Sequence, residues 1–307
     1  MIKLYNNFNI QNIHKKSIIL IGNFDGLHLG HQKLFYLAKR YKKKFSLKVG
    51  VLTFEPMPKM YFNREIKNFR ISNKKQKIKL LNKFNVDFVI IKKFNKKFSK
   101  IKSIDFIKKI LSKKLNARYI FVSNNFRFGN KREGDVRQLI KYEHQCNYKI
   151  VKPKPLLIKK KVVSSTLIRN YLQKGKLDKI NKLLNREWSI EGKVQKGRQL
   201  GKKIGFPTAN MDIKDYVLGC PGVYAVRCKI AKSSKYLKGI ANLGYRPTFN
   251  GKKILLEVHL FNFSGNLYNK YLTVEFLKFI RKEKKFKNID QLKKQIKADL
   301  LIAKKIK

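Results

Sequence analysis

The chain has 307 residues, enough for two domains of ordinary size, each with its own core. Its 43% apolar and 12% aromatic content excludes a disordered chain, and no apolar run approaches the roughly 20 residues that cross a bilayer. A formal charge of +56 points toward nucleic acid, yet 61 of the 74 cationic residues are Lys spread along the whole chain, whereas a dedicated nucleic-acid face concentrates charge and favours Arg.

Lys, Asn, Ile and Phe are abundant together, as codon drift toward A and T produces, so the lysines read as solvated surface. No dedicated nucleic-acid role and no membrane role is expected. The first residues carry no basic head followed by an apolar stretch, which leaves the cytoplasm as the expected compartment. Three cysteines, Cys146, Cys220 and Cys228, form no C-x-x-C pair and read as reduced thiols rather than disulfides or zinc ligands.

From the N-terminus, strand and helix patterns alternate. Residues 18–22, 49–54, 87–91, 119–123 and 148–151 are continuous apolar runs of strand length, and 32–41, 78–84, 104–115 and 136–142 carry helical spacing. Continuous apolar strands fit a parallel sheet covered on both faces, which predicts a doubly wound, Rossmann-like α/β domain with its ligand at the carboxyl ends of the strands. A helical stretch at 166–184, broken at Lys174-Gly175, follows. Beyond about residue 186 the pattern changes to strands at 222–230, 237–243, 254–261 and 272–279, separated by turn residues, and then a helix at 289–306. This half is predicted to be a small antiparallel β-barrel with a C-terminal helix. The expected domains are 1–185 and 186–307.

The segment Gly22-Asn23-Phe24-Asp25-Gly26-Leu27-His28-Leu29-Gly30-His31 follows the first strand and opens the first helix. Its glycines admit close approach of a ligand to the backbone, and the helix start offers N–H groups to phosphate. His28 and His31 can donate hydrogen bonds as charge builds on that phosphate. This H-x-G-H pattern resembles the nucleotidylyltransferase superfamily; the bland alternative is a turn whose histidines only cap the helix. Ser164-Ser165-Thr166-Leu167-Ile168-Arg169 places hydroxyls at another helix start with an Arg one turn on, a second phosphate grip or an ordinary cap. Asn124-Asn125-Phe126-Arg127-Phe128-Gly129 and Thr53–Pro58 each follow or end a strand where the ligand is expected.

In the second half, Gly192, Gly197, Gly201 and Gly205 punctuate a loop suited to folding over phosphates, without a Walker A spacing. Thr208 and Asn210 alternate along an extended chain and so share one side. With nucleotide phosphates they make a candidate Mg²⁺ site. Glu257 is a lone carboxylate in an apolar strand, a candidate base for a substrate hydroxyl or else an ion-paired barrel residue.

Together these motifs closely resemble the bacterial bifunctional riboflavin kinase/FAD synthetase family. The resemblance rests on G-N-F-D-G-x-H-x-G-H (22–31), F-R-F-G (126–129), S-S-T-x-I-R (164–169), G-F-P-T-A-N (205–210), R-P-T (246–248) and L-E-V-H-L (256–260). It implies an FMN adenylyltransferase in 1–185 and a riboflavin kinase in 186–307, with riboflavin, FMN and ATP as the small-molecule partners. It also implies Mg²⁺ as cofactor, and the chain is expected to be a monomer or weak homo-oligomer. His28 and His31 are then expected to act on ATP, with Gly22, Asn23, Phe24, Asp25, Gly26, Gly30, Asn125 and Phe126 around the nucleotide and flavin. Ser164, Ser165, Thr166 and Arg169 are expected at the triphosphate. In the kinase half, Gly197, Gly201, Lys202, Gly205, Asn242, Arg246 and Thr248 are expected to bind substrate, Thr208 and Asn210 the metal, and Glu257 to serve as base.

Three departures from the family pattern stand out. Ser123-Asn124-Asn125 replaces G-x-D, Met57 stands where His or Gln is common, and Lys202 stands where Arg is common. Three alternative readings stay open: a monofunctional riboflavin kinase with a decayed first domain, a basic nucleic-acid-binding protein, and a cytidylyltransferase, which would leave the second half unexplained.

Overall fold

The computed structural model describes the chain except residues 1, 64, 67, 198–200, 202–203, 232, 249–250 and 307, and except the side chains of 246–248 and 251–253. Two compact units result, Met1–Lys67 with Lys74–Val163, and Asn68–Asn73 with Ser164–Lys307.

In the first unit, β1 (Lys3–Tyr5), β2 (Ile18–Ile21), β3 (Val49–Glu55), β4 (Phe88–Lys93), β5 (Tyr119–Phe121) and β6 (Lys149–Val151) form one sheet in the order β1-β4-β3-β2-β5-β6. Every neighbouring pair is parallel. The apolar run in β2 has a simple cause. Ile18 and Leu20 enter one core with Leu34 and Phe35, while Ile19 and Ile21 enter the other with Ile107 and Leu111. A strand buried on both faces has no polar positions to alternate with. β3 and β5 flank β2 on opposite sides, so the winding reverses at β2 and leaves a crevice beyond its carboxyl end.

The helices run close to expectation, with shifted ends. α1 (Leu29–Phe45) starts three residues before the apolar spacing does, because His28 caps it. α2 spans Lys74–Asn82. The helix expected over 104–115 becomes a short turn running into a π-helix, α3 (Phe106–Lys114), which still buries Phe106, Ile107, Ile110 and Leu111. α4 is Val136–Lys141.

In the second unit, α5 (Ser165–Gln173) and α6 (Leu177–Leu184) precede a closed barrel. Its strands are β7 (Trp188–Gln195), β8 (Ala209–Asp212), β9 (Gly222–Ile230), β10 (Tyr236–Thr248), β11 (Gly251–Leu260) and β12 (Tyr271–Lys282). They run antiparallel in the order β7-β8-β11-β10-β9-β12, and β7 closes on β12 through Trp188 opposite Phe276. β1, β7 and β8 were not among the expected strands. β7 alternates Trp188, Ile190 and Val194 inward, but Gly192 interrupts the series.

Aromatic rings fill the barrel: Trp188 lies 4.6 Å and Tyr224 5.1 Å from Phe276 between ring centroids. The opposite, outer face of β9 and β10 is apolar too. There Val223, Ala225 and Ile240 pack with Ala303 of α7 (Ile289–Lys304). One part of the outer wall is thus covered by a helix.

Candidate active sites

The loop from Gly22 to His28 leaves the carboxyl end of β2, in the crevice that the strand order creates. Gly26 has φ +78°, a left-handed turn that costs glycine nothing. Asn23 is exposed, and its carbonyl accepts from Thr53 Oγ1 at 3.4 Å, which ties the loop to the end of β3. Asp25 is buried. Phe24 is buried as well, with its ring 5.1 Å from Phe35, so its side chain belongs to the core below the loop. Gly22 sits at the start of the loop and Gly30 in the first turn of α1.

His28, only 4% exposed, is the N-cap of α1: its Nδ1 accepts from the backbone N–H of His31 at 3.3 Å. A neutral ring accepting at Nδ1 carries its proton on Nε2. The His31 ring stacks on it with centroids 3.7 Å apart and planes 20° from parallel. Burial, then the neighbouring His28 and Lys77, hold the His31 pKa well below the usual histidine range. His31 Nδ1 is buried and has no hydrogen-bond partner among the described residues. Two stacked histidines at a helix start, His31 with a buried nitrogen unpartnered among the described residues, suit an anionic ligand that supplies the missing charge.

Asn125 lies exposed in a turn after β5, where its Oδ1 accepts from Ser123 Oγ at 2.9 Å. Phe126 stacks on Phe128 with centroids 5.5 Å apart and packs at the edge of the core. Met57 is buried.

In the second unit, Ser164 caps α5 by accepting from Leu167 N–H at 3.2 Å. Ser165 and Thr166 follow in its first turn. Arg169 donates through Nε to the Phe69 carbonyl at 2.8 Å, and its guanidinium stacks 3.7 Å from the Phe69 ring centroid.

The barrel carries a cavity of about 780 Å³ on its outer wall, a size that suits small-molecule substrates. Register places Asn210 of β8 opposite Glu257 of β11, and Glu257 opposite Asn242 of β10. Side chains paired this way share a face, so the three form one transverse row, and all three line the cavity together with Thr208. Asn210 is 5% exposed; its Nδ2 donates to the Thr208 carbonyl at 3.4 Å, and its Oδ1 has no hydrogen-bond partner among the described residues. Glu257 is half-buried. His259 Nδ1 donates to the Pro207 carbonyl at 2.8 Å and fixes the segment that carries Thr208.

Gly197 packs against Asn210: a Cβ there would meet Asn210 Nδ2 at 2.4 Å, so that side chain would have to shift. Gly201 opens a tight turn in which its carbonyl accepts from Phe206 N–H at 2.8 Å, and Gly205 lies inside that turn. Lys202 falls outside the described residues, as do the side chains of Arg246 and Thr248, which lie near the end of β10. Among the described residues no group of three His, Cys, Asp or Glu could hold a metal. Arg281 and Asp299 also line the cavity and escaped the sequence reading. Asp299 was detectable as the acidic residue on the apolar stripe Leu292, Ile296, Asp299, Ala303.

Comparison with known proteins covers both halves. A family model described as FAD synthetase matches residues 10–167, and one described as riboflavin kinase matches 184–307. Curated relatives named bifunctional riboflavin kinase/FMN adenylyltransferase include one from Buchnera aphidicola subsp. Schizaphis graminum, 40% identical over 97% of this chain and 96% of its own. Those from Haemophilus influenzae and Escherichia coli are 37% and 36% identical, over 96% and 93% of this chain and 96% and 91% of their own. A crystal structure described as a macrolide-efflux protein from Streptococcus pneumoniae superimposes with a TM-score of 0.86 at 27% identity, covering 99% of each chain. Among the described residues of this chain, no helix is long and apolar enough to cross a membrane.

Proposed function

The chain belongs to the bifunctional riboflavin kinase/FMN adenylyltransferase family, and from that premise we propose that it makes both flavin cofactors. Riboflavin is phosphorylated by ATP to FMN in the barrel cavity. FMN is then adenylylated by a second ATP to FAD, with release of pyrophosphate, at the loop beyond β2. The observation that carries the kinase reading is the row Asn210, Glu257, Asn242 on one wall of a substrate-sized cavity.

In the kinase step Glu257 accepts the proton of the riboflavin 5′-hydroxyl while that oxygen attacks the terminal phosphorus of ATP and ADP leaves. The buried Oδ1 of Asn210, unpartnered among the described residues, and the hydroxyl of Thr208, which lines the same cavity, are the kind of oxygens that fit Mg²⁺, a hard cation that keeps few protein ligands. When bound, that ion offsets the charge of the nucleotide phosphates. Gly197, Gly201, Lys202, Gly205, Arg246 and Thr248 are assigned to the substrates by motif, and Asn242 by its place in the row.

In the adenylyl transfer an oxygen of the FMN phosphate attacks the α-phosphorus of ATP, so no proton has to be pulled from the nucleophile. His28 offers Nε2–H to the charge that develops, and His31 backs it from the same turn. Gly22, Asn23, Phe24, Asp25, Gly26 and Gly30 shape the loop, and Asn125 and Phe126 are assigned to the neighbouring turn. Ser164, Ser165, Thr166 and Arg169 are assigned to the triphosphate on their motif alone. The functional halves are taken as 1–185 and 186–307. The enzyme is taken to act in the cytoplasm as a monomer or weak homo-oligomer. Incubation with riboflavin, ATP and Mg²⁺, followed by separation of the flavins, tests the whole reading: FMN should form first and FAD after it. Absence of both refutes it.

A further inference from the structure

The polar row on the outer wall of the barrel does not stop at Asn242. Asn242 pairs with Val223 of β9, and Val223 pairs with Arg281 of β12. The complete row is therefore Asn210, Glu257, Asn242, Val223, Arg281, across five adjacent strands. Arg281 stands three strands from Glu257, about 14 Å along the wall at the usual interstrand spacing.

Arg281 is held rigidly. Its Nε lies 3.0 Å from both Asp299 carboxylate oxygens, its Nη2 donates to Oδ2 at 2.8 Å, and its Nη1 donates to the Lys282 carbonyl at 3.0 Å. Asp299 is 1% exposed and takes a further bond from Gln295 Nε2 at 2.9 Å. A guanidinium has five N–H groups. These contacts use the Nε–H and one on each Nη, which leaves one N–H on each Nη with no partner among the described residues, on a side chain that lines the cavity. A buried ion pair that served only to tie α7 to β12 would not need to face a substrate cavity.

Resting on the kinase reading above, we infer that Arg281 is a specificity residue that donates hydrogen bonds to the carbonyl-bearing edge of the flavin ring, while Glu257 engages the far end of the ribityl arm. The order of the row decides between flavin and nucleotide. Thr208, Asn210 and the glycine turn mark the phosphate end. The acceptor hydroxyl lies at Glu257, so the rest of the flavin must extend away from the phosphates, toward β9 and β12. Val223, Ile240, Leu292 and Ile296 line that part of the cavity, a surface suited to a flat apolar ring. A three-ring system bearing a five-carbon hydroxylated arm covers a distance comparable with the row. Its outer edge carries two carbonyl acceptors, one on each side of a ring N–H, and a guanidinium, which can only donate, matches either carbonyl.

The test uses the full-length protein with Arg281→Lys and with the double variant Arg281→Met/Asp299→Leu, which removes both charges together and so leaves none buried alone. A cooperative thermal unfolding transition serves as the control for a folded barrel, because FAD formation from supplied FMN reports only on the other unit. Loss of a hydrogen bond from a charged donor predicts a rise of about tenfold or more in KM for riboflavin, with kcat within a few-fold and KM for ATP unchanged. Lumiflavin, which keeps the ring and lacks the arm, should weaken as a competitive inhibitor by the same factor. An unchanged KM for riboflavin, a rise in KM for ATP instead, or undiminished lumiflavin inhibition would each overturn the assignment. If the natural protein phosphorylates no riboflavin at all, it is the kinase reading that has failed.

Discussion

Asn210 and Glu257 face each other across β8 and β11, on the outside of the barrel rather than in its packed interior. That pairing puts a buried amide oxygen, unpartnered among the described residues, one strand from a half-buried carboxylate. The interior rows immediately before and after it, Ala209 with Val258 and Met211 with Leu256, are buried and apolar. Chemistry and core thus alternate along the same two strands.

The first consequence is that the two activities separate by mutation. Glu257→Gln should abolish FMN formation and leave FAD synthesis from supplied FMN intact, because His28 and His31 lie in the other compact unit. Loss of both activities in a folded protein would contradict a two-site enzyme.

For the histidines the direction is opposite. His28→Ala and His31→Ala should each slow FAD synthesis by on the order of a hundredfold and spare riboflavin phosphorylation. His28→Ala also removes the cap of α1, so its melting temperature should be compared with that of His31→Ala to separate the two effects.

The His31 environment also predicts a pH dependence of stability. Its folded pKa is depressed, so at pH values above about 6.5 the ring is neutral in both folded and unfolded chains and makes no difference. Below that, the unfolded chain takes up a proton that the folded ring refuses, and stability falls with pH. His31→Gln should flatten part of the decline in melting temperature between pH 7 and 5. Parallel profiles for variant and natural protein would show that His31 titrates normally.

Asn125 stands where the family pattern has Asp. Its Oδ1 accepts from Ser123 Oγ within an exposed turn, and Asp makes the same local turn. Asn125→Asp should therefore change the steady-state kinetics of FAD synthesis by no more than a few-fold. A gain of tenfold or more would mean that the natural protein lacks a charge its site needs.

Gly197→Ala brings a methyl group to within 2.4 Å of the Asn210 amide, which must then move. A misplacement of about 1 Å near the reacting groups costs up to on the order of a hundredfold in rate. Riboflavin phosphorylation should fall while FAD synthesis from FMN holds. Unchanged phosphorylation would remove Asn210 from the site.

The lysine surface makes its own prediction. If it is solvated surface only, binding to generic DNA should be weak and vanish near physiological salt through counterion competition. Tight, sequence-selective binding there would restore a nucleic-acid role.

What could be read from the sequence was what short segments decide. The Gly22–His31 loop is contiguous, so its strand, turn, glycines and both histidines were recognisable together. β2 shows its burial on both faces as an unbroken apolar run. Thr208 and Asn210 share a side because an extended chain alternates.

Other features were decided only by the fold. The sequence allows His28 to be a phosphate donor or a cap, and the fold shows its ring capping the helix through Nδ1. Phe24 looked like part of the nucleotide loop, and its ring went to the core. The row from Asn210 to Arg281 depends on the register of five strands distant in sequence, and a slip of one residue would turn Glu257 into the barrel. The grip of Asp299 on Arg281 joins a strand to a helix 18 residues later. Local propensity carries no record of such pairings; they exist only once the barrel has closed and α7 has packed against its outer wall.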